Sequence, residues 1–211
     1  MTTANKQIDF IHSLNSESPD NVDLFDSTYT LTESQTLKLK SHYREHAEEV
    51  FIHFMTAFRI LYSKYHFTNE PLSCKVILSE IITTQTGLKP FFAVRVDFPS
   101  FDKTQSSLIS IFNETKKIFD DNQNLINSFS IINSSYRITL LTLNTETDQI
   151  ELDCSIIIDK NTNITFKAPF GSPLSYVAHN SHHHFQNILQ AFENTPTLGV
   201  DLIQMLSLIH I

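Results

Sequence analysis

The clearest hydrophobic pattern in the chain lies between Leu31 and Phe67, where apolar residues recur three and four positions apart. This spacing places them on one face of a helix. Thr32 and Gln35 have the spacing of a capping box, so a polar helix is predicted from about residue 33 to residue 45. An apolar helix is predicted to follow from about residue 47 to residue 65. Its predicted buried face consists of Ala47, Val50, Phe51, Phe54, Phe58, Leu61, Tyr62 and Tyr65.

The rest of the chain alternates between strand-like and helix-like patterns. Strands are predicted at Cys74–Ile82, Phe91–Phe98, Ser128–Ile132, Tyr136–Leu143, Ile150–Ile158, Ile164–Ala168 and Leu174–His179. Helices are predicted at Thr104–Asp120 and Ser181–Glu193, and a loop that contains Gly87 is predicted at Thr83–Pro90. This order predicts an α/β fold with a mixed, mostly antiparallel sheet and helices packed mainly on one face.

The composition excludes several classes of function. The chain has 211 residues and a formal net charge of −8, and its lysines and arginines do not cluster, so binding to nucleic acid is not expected. Three glycines cannot build the glycine-rich loops that hold nucleotide phosphates. No stretch approaches about 20 apolar residues, so no contact with a membrane is expected. Cys74 and Cys154 lie in strand-like apolar runs, which predicts two buried free thiols and a cytoplasmic location.

Several short strings, taken in order, resemble the C-terminal half of a condensation domain of nonribosomal peptide synthetases. Residues 50–65 resemble a helix of that family through an Ala-Phe pair and a closing tyrosine. Gly87, followed by Arg95 and Asp97, resembles a family motif with Gly and Arg-x-Asp, although the Asn-Thr of that motif is missing. Residues 184–192 resemble the closing helix. Weaker matches lie at residues 122–126, 133–137 and 200–207.

The resemblance implies a single lobe of the chloramphenicol-acetyltransferase type. It divides the chain into an N-terminal extension at residues 1–30, a condensation-like lobe at 31–199 and a tail at 200–211. The family's catalytic His-His-x-x-x-Asp-Gly motif belongs to an N-terminal lobe that this chain is expected to lack. The implied function is a non-catalytic structural platform for a following adenylation domain, or another synthetase domain, without a cofactor.

A run of three histidines, His182 to His184, allows an alternative enzymatic function. In acyltransferases of this superfamily the second His of His-His-x-x-x-Asp is the general base, so His183 is the candidate in a stand-alone chloramphenicol-acetyltransferase-type enzyme. Asn187 stands in the place of the aspartate and cannot form its ion pair with an arginine. Ile188 stands in the place of the following glycine and does not readily adopt a positive φ.

Two other interpretations of the histidines remain open. His179, His182 and His183 have a spacing that could bind zinc, but no cysteine or carboxylate nearby completes such a site. In the structural interpretation Ser181 caps the helix, His182 and His183 are exposed, and His184 is packed. No metal site is assigned on this basis.

Other charged residues predict structure rather than chemistry. Arg95 and Asp97, two positions apart, share one face of a strand and are predicted to form a structural ion pair. Glu48 and Glu49 lie at the start of the predicted apolar helix, where they favour its dipole. No serine lies in a Gly-x-Ser-x-Gly motif, so hydrolase chemistry has no support.

Overall fold

A computed structural model of the chain describes residues 24–30, 49, 51–65, 71–82, 87–121, 136–143, 150–158, 162–169 and 180–203. These ranges contain six strands, three longer helices and a short 3₁₀ turn at Val200–Leu202. The strands are β1 (Leu24–Thr30), β2 (Leu72–Ile82), β3 (Gly87–Phe98), β4 (Tyr136–Leu143), β5 (Ile150–Ile158) and β6 (Thr162–Pro169). The helices are α1 (residues 51–65), α2 (Leu108–Asp120) and α3 (Ser181–Asn194).

The six strands form one sheet in the order β1-β6-β5-β4-β2-β3, and every described pair is antiparallel. The predicted bounds of β4 and β5 are confirmed. The predicted loop at Thr83–Pro90 is wrong in its second half, because β3 already begins at Gly87 and pairs with β2 from there. β1 was not predicted, so the sheet includes residues that the sequence assigned to an N-terminal extension.

One face of the sheet carries the core. Opposite residues in register along this face include the pairs Val76–Leu140, Leu140–Cys154 and Cys154–Phe166. These four side chains have no exposed surface. Because side chains alternate between the two faces of a strand, the register places the apolar positions of successive strands side by side.

The helices pack on this apolar face through aromatic side chains. Phe185 of α3 contacts Phe166 of β6 and Phe54 of α1, with ring centroids 5.4 Å and 6.2 Å away. Phe119 of α2 contacts Phe98 of β3 and Phe51 of α1 at 6.1 Å and 5.1 Å. The Phe54–Phe185 pair is stacked and the other three are edge-to-face, and both arrangements add to the free energy gained by burying each ring.

α1 is the central helix of this layer. The predicted buried face is confirmed for Phe51, Phe54 and Phe58, which are at most 2% exposed. The helix is also buried on its other sides, which a one-sided pattern did not predict. The additional residues with at most 1% exposure are Ile52, Met55, Thr56, Ala57, Arg59 and Ile60.

The remaining predictions concern the start of α2, the two cysteines and the segments that the structure does not describe. α2 begins at Leu108 rather than near Thr104, because Ser107 and Ser110 form a reciprocal capping box. Cys74 and Cys154 are buried free thiols, as predicted. The predicted polar helix at residues 33–45, the strands at Ser128–Ile132 and Leu174–His179, and the chain after Ile203 lie outside the described residues.

Candidate functional site

The histidine run leads to a buried polar cluster that joins α1 to α3. Tyr65, at the end of α1, donates a hydrogen bond from its hydroxyl to Ser181 Oγ at 3.0 Å. Its phenolic oxygen also lies 2.9 Å from Nδ1 of His184. Ser181 and His184 are at most 1% exposed and lie in the first turn of α3. The prediction that Ser181 caps the helix is wrong, because Asn180 is the N-cap and the Ser181 side chain contacts Tyr65 instead.

The cluster is a buried hydrogen-bond network between two helices. A phenol carries one hydrogen, and Tyr65 donates it to Ser181, so the contact with His184 requires a hydrogen on Nδ1 of the imidazole. Burial raises the pKa of Tyr65, and the hydrogen bond with Ser181 opposes this shift only in part. The three side chains therefore link the end of α1 to the first turn of α3 inside the core.

His182 and His183 are less buried than His184. His183 is exposed, His182 is half-buried, and their ring centroids lie 3.9 Å apart. Within the described part of the chain, no group of three His, Cys, Asp or Glu side chains is arranged to hold a metal ion. His179 and Glu48 lie outside the described residues, and Glu49, two positions before α1, is exposed.

Arg59 is a buried charged residue in α1, and the hydrophobic pattern did not predict its burial. Its guanidinium is 1% exposed, lies 2.8 Å from Oε2 of Glu114, and donates to the carbonyl of Pro99 at 2.6 Å. The rings of Phe98 and Phe101 lie 5.3 Å and 5.1 Å from its central carbon. Burial lowers the pKa of Arg59 and Glu114 opposes the shift. Arg59 therefore fixes the connection between β3 and α2 against α1.

The chain beyond α3 packs back onto the lobe. We call residues 195–203 the exit segment. Lys64 of α1 donates from Nζ to the carbonyls of Ile203 at 3.0 Å and Asp201 at 3.3 Å. Val200 is fully buried and Ile203 is 4% exposed. Ile203 is therefore packed against the lobe, whereas Leu202 is 64% exposed.

Arg95 and Asp97 lie on the face of β3 that turns away from the helices. Arg95 Nε is 3.6 Å from Asp97 Oδ1, and both side chains are largely exposed. Ser73 of β2 bridges them, since its hydroxyl accepts from Arg95 Nε at 2.8 Å and donates to Asp97 at 2.7 Å. An exposed pair with this geometry contributes little to stability.

The fold of the chain is similar to that of two solved structures. The chain is similar to the condensation domain from the monacolin K polyketide synthase MokA, with a TM-score of 0.54 and 12% sequence identity over 87% of this chain and 51% of that one. It is also similar to holo-AB3403, a four-domain nonribosomal peptide synthetase bound to AMP and glycine. That match has a TM-score of 0.53 and 9% identity over 84% of this chain and 17% of the synthetase. No protein-family model and no curated protein matches the chain.

These similarities confirm the fold class that the sequence predicted. The chain shares its fold with part of each of these two structures. It spans about half the length of the MokA condensation domain, at 51% coverage. In the described residues, no helix has both the length and the apolar character needed to cross a membrane.

Proposed function

We propose that this chain is a non-catalytic condensation-like lobe that serves as a structural platform for an adjacent adenylation domain of a nonribosomal peptide synthetase. The observation that carries the proposal is the fold match, in which most of this chain corresponds to about half of a condensation domain. The lobe that the structure describes offers a surface on which a neighbouring domain can pack.

The placement of the histidines supports the non-catalytic part of the proposal. His184 is packed at 1% exposure and contacts Tyr65. His183 is exposed, and in the described residues no hydrogen bond or ion pair orients its ring as a general base requires. The position that a catalytic aspartate would take holds Asn187, which carries no charge.

The exit segment supports the platform part of the proposal. Its backbone is fixed on α1 and α2 up to Ile203. A chain that leaves a domain in a fixed position holds the next domain close to the surface of the first. This raises the effective concentration of the two surfaces for each other.

The test combines a binding measurement with an activity measurement. The purified chain is titrated in a calorimeter with an adenylation domain encoded in the same reading frame, and separately incubated with acetyl-CoA and amine or alcohol acceptors. The proposal predicts a complex with one copy of each protein and no acyl transfer. Acyl transfer that disappears in His183→Ala would establish the acyltransferase alternative and overturn the proposal, as would the absence of any complex.

A further inference from the structure

β3 lies at one edge of the sheet, and within the described residues it pairs only with β2. A strand with one hydrogen-bonded neighbour directs about half of its backbone N–H and C=O groups to the other side, where a further strand can pair with them. The first half of β3 suits such pairing poorly, because Pro90 has no N–H and the register with β2 shifts between Leu78 and Ser79. The second half, residues 92–98, pairs with β2 without irregularity.

This second half of β3 has one apolar face and one charged face. Val96 and Phe98 are 5% and 0% exposed and belong to the core, and the half-buried Val94 packs against it. Arg95 and Asp97 turn away from the helices, and their side chains are 43% and 69% exposed. The exposed face of this edge therefore carries a positive and a negative charge two positions apart.

The order of these two charges makes the edge complementary to itself. In an antiparallel pair in which Val96 lies opposite Val96 of a second copy, Arg95 of each copy lies opposite Asp97 of the other. Directly opposed residues have Cβ atoms roughly 4.5–5.5 Å apart, and opposite charges in such positions attract. Two positions along one strand are about 6.7 Å apart, so the pairing brings the two kinds of charged residue closer than a single strand does.

Charge and face together select this register among its neighbours. With the twofold axis at Arg95 or at Asp97, that residue would lie opposite its own copy, and opposed like charges are destabilising. A shift by one residue would place Arg95 opposite Val96 and turn the apolar face of one copy to the charged face of the other. Of these registers, the one centred on Val96 alone matches both faces.

We propose that β3 pairs in antiparallel orientation with β3 of a second copy of this chain, about a twofold axis at Val96, so that one sheet runs through both copies. A twofold axis brings the same patch of both subunits together, as in most homodimers. The paired segment is short, so the association is weak and depends on protein concentration. The inference concerns the chain alone and does not rest on the proposed function.

Analytical ultracentrifugation of the purified chain tests the pairing. The wild-type chain is expected to change from monomer to dimer as its concentration rises from low micromolar to submillimolar. Arg95→Asp and Asp97→Arg each place like charges opposite one another in the dimer, so each is expected to weaken dimerisation at least tenfold. Glu193→Arg is the control: it changes the net charge as Asp97→Arg does, but lies on α3, which packs on β6 away from the β3 edge, and should dimerise like the wild type.

An equimolar mixture of Arg95→Asp and Asp97→Arg separates pairing between copies from the contact within one strand. In a dimer with one copy of each variant, the two acidic positions of one face the two basic positions of the other. The mixture is therefore expected to dimerise within about threefold of the wild-type affinity, although neither variant does so alone. The contact between residues 95 and 97 of one strand is lost in both variants, so it cannot produce this recovery.

The remaining outcomes overturn the inference. A wild-type chain that stays monomeric at every concentration shows that the edge does not pair. Dimerisation that both single variants retain places the contact on another surface, and a mixture that stays monomeric shows that the two charges do not face each other. Equal loss in Glu193→Arg would mean that net charge alone controls the association.

Discussion

The phenolic oxygen of Tyr65 lies 2.9 Å from Nδ1 of His184, a residue 119 positions further along the chain. The contact joins the end of α1 to the first turn of α3 inside the core. It commits one of the three consecutive histidines to holding helices together. A histidine run that suggests catalysis in the sequence thus has a structural member at its buried end.

Removing the Tyr65 hydroxyl is expected to destabilise the lobe. Tyr65→Phe keeps the ring but leaves Ser181 and His184 without their common buried partner, which costs about 1–3 kcal/mol. Urea unfolding monitored by circular dichroism measures this change in the free energy of unfolding. His183→Ala, an exposed substitution in the same turn of α3, is the control and should change it by less than about 0.5 kcal/mol. Equal effects of the two variants would show that the buried cluster does not contribute.

Arg59 and Arg95 offer a comparison between a buried and an exposed arginine. Arg59→Met removes the bond to the Pro99 carbonyl, the ion pair with Glu114 and two ring contacts, and should cost about 2–4 kcal/mol. Arg95→Met breaks an exposed pair and should cost less than about 1 kcal/mol. Chemical unfolding of both variants under the same conditions provides the comparison. The account of Arg59 is wrong if the two costs are the same.

The stability of the lobe is expected to fall in alkaline solution because of Cys74. Burial raises the pKa of its thiol, so the folded state keeps the proton while the unfolded chain releases it above about pH 8.5. The contribution of Cys74 is fully present below that pH and is lost as the pH rises, by about 1.4 kcal/mol per pH unit. Free energies of unfolding measured between pH 7 and 9.5 should therefore fall less steeply in Cys74→Ala. Parallel pH profiles for the variant and the wild type would contradict this expectation.

Packing of α3 on the sheet is expected to depend on Phe185. Phe185→Ala removes a fully buried ring between Phe166 and Phe54 and should cost about 3–5 kcal/mol. Leu202→Ala, which changes a largely exposed apolar side chain, should cost less than about 0.5 kcal/mol. Thermal unfolding of the two variants tests the difference. A small effect of Phe185→Ala would mean that α3 does not pack on this face.

Much of the fold could be predicted from the sequence, because its elements follow simple periodicities. The apolar runs at Tyr136–Leu143 and Ile150–Ile158 have the composition and length of strands, and the structure has them with those bounds. Strand β1 was missed because its residues, Leu24–Thr30, are mostly polar and join the sheet only by pairing with β6. Local pattern carries no information about such a distant partner.

The polar groups of the core were harder to predict. His184 was expected to be packed because it falls on the apolar face of α3, and it is. Arg59 lies in the middle of an apolar helix, and a pattern of positions does not show that Glu114 and the Pro99 carbonyl surround it. The interruption of the apolar pattern of α1 by an arginine is the one signal that could have identified it. The roles proposed for His183, Arg95 and Asp97 remain predictions.

Hydrogen–deuterium exchange of the chain, alone and with the adenylation domain, tests the platform function most directly. The account predicts that added protection is concentrated in the exit segment, residues 195–203, and in the neighbouring connection at residues 99–107. The first turn of α3, which carries His182 and His183, should be unaffected. Protection centred on those histidines, or none anywhere, would contradict the central claim that this condensation-like lobe acts as a docking platform.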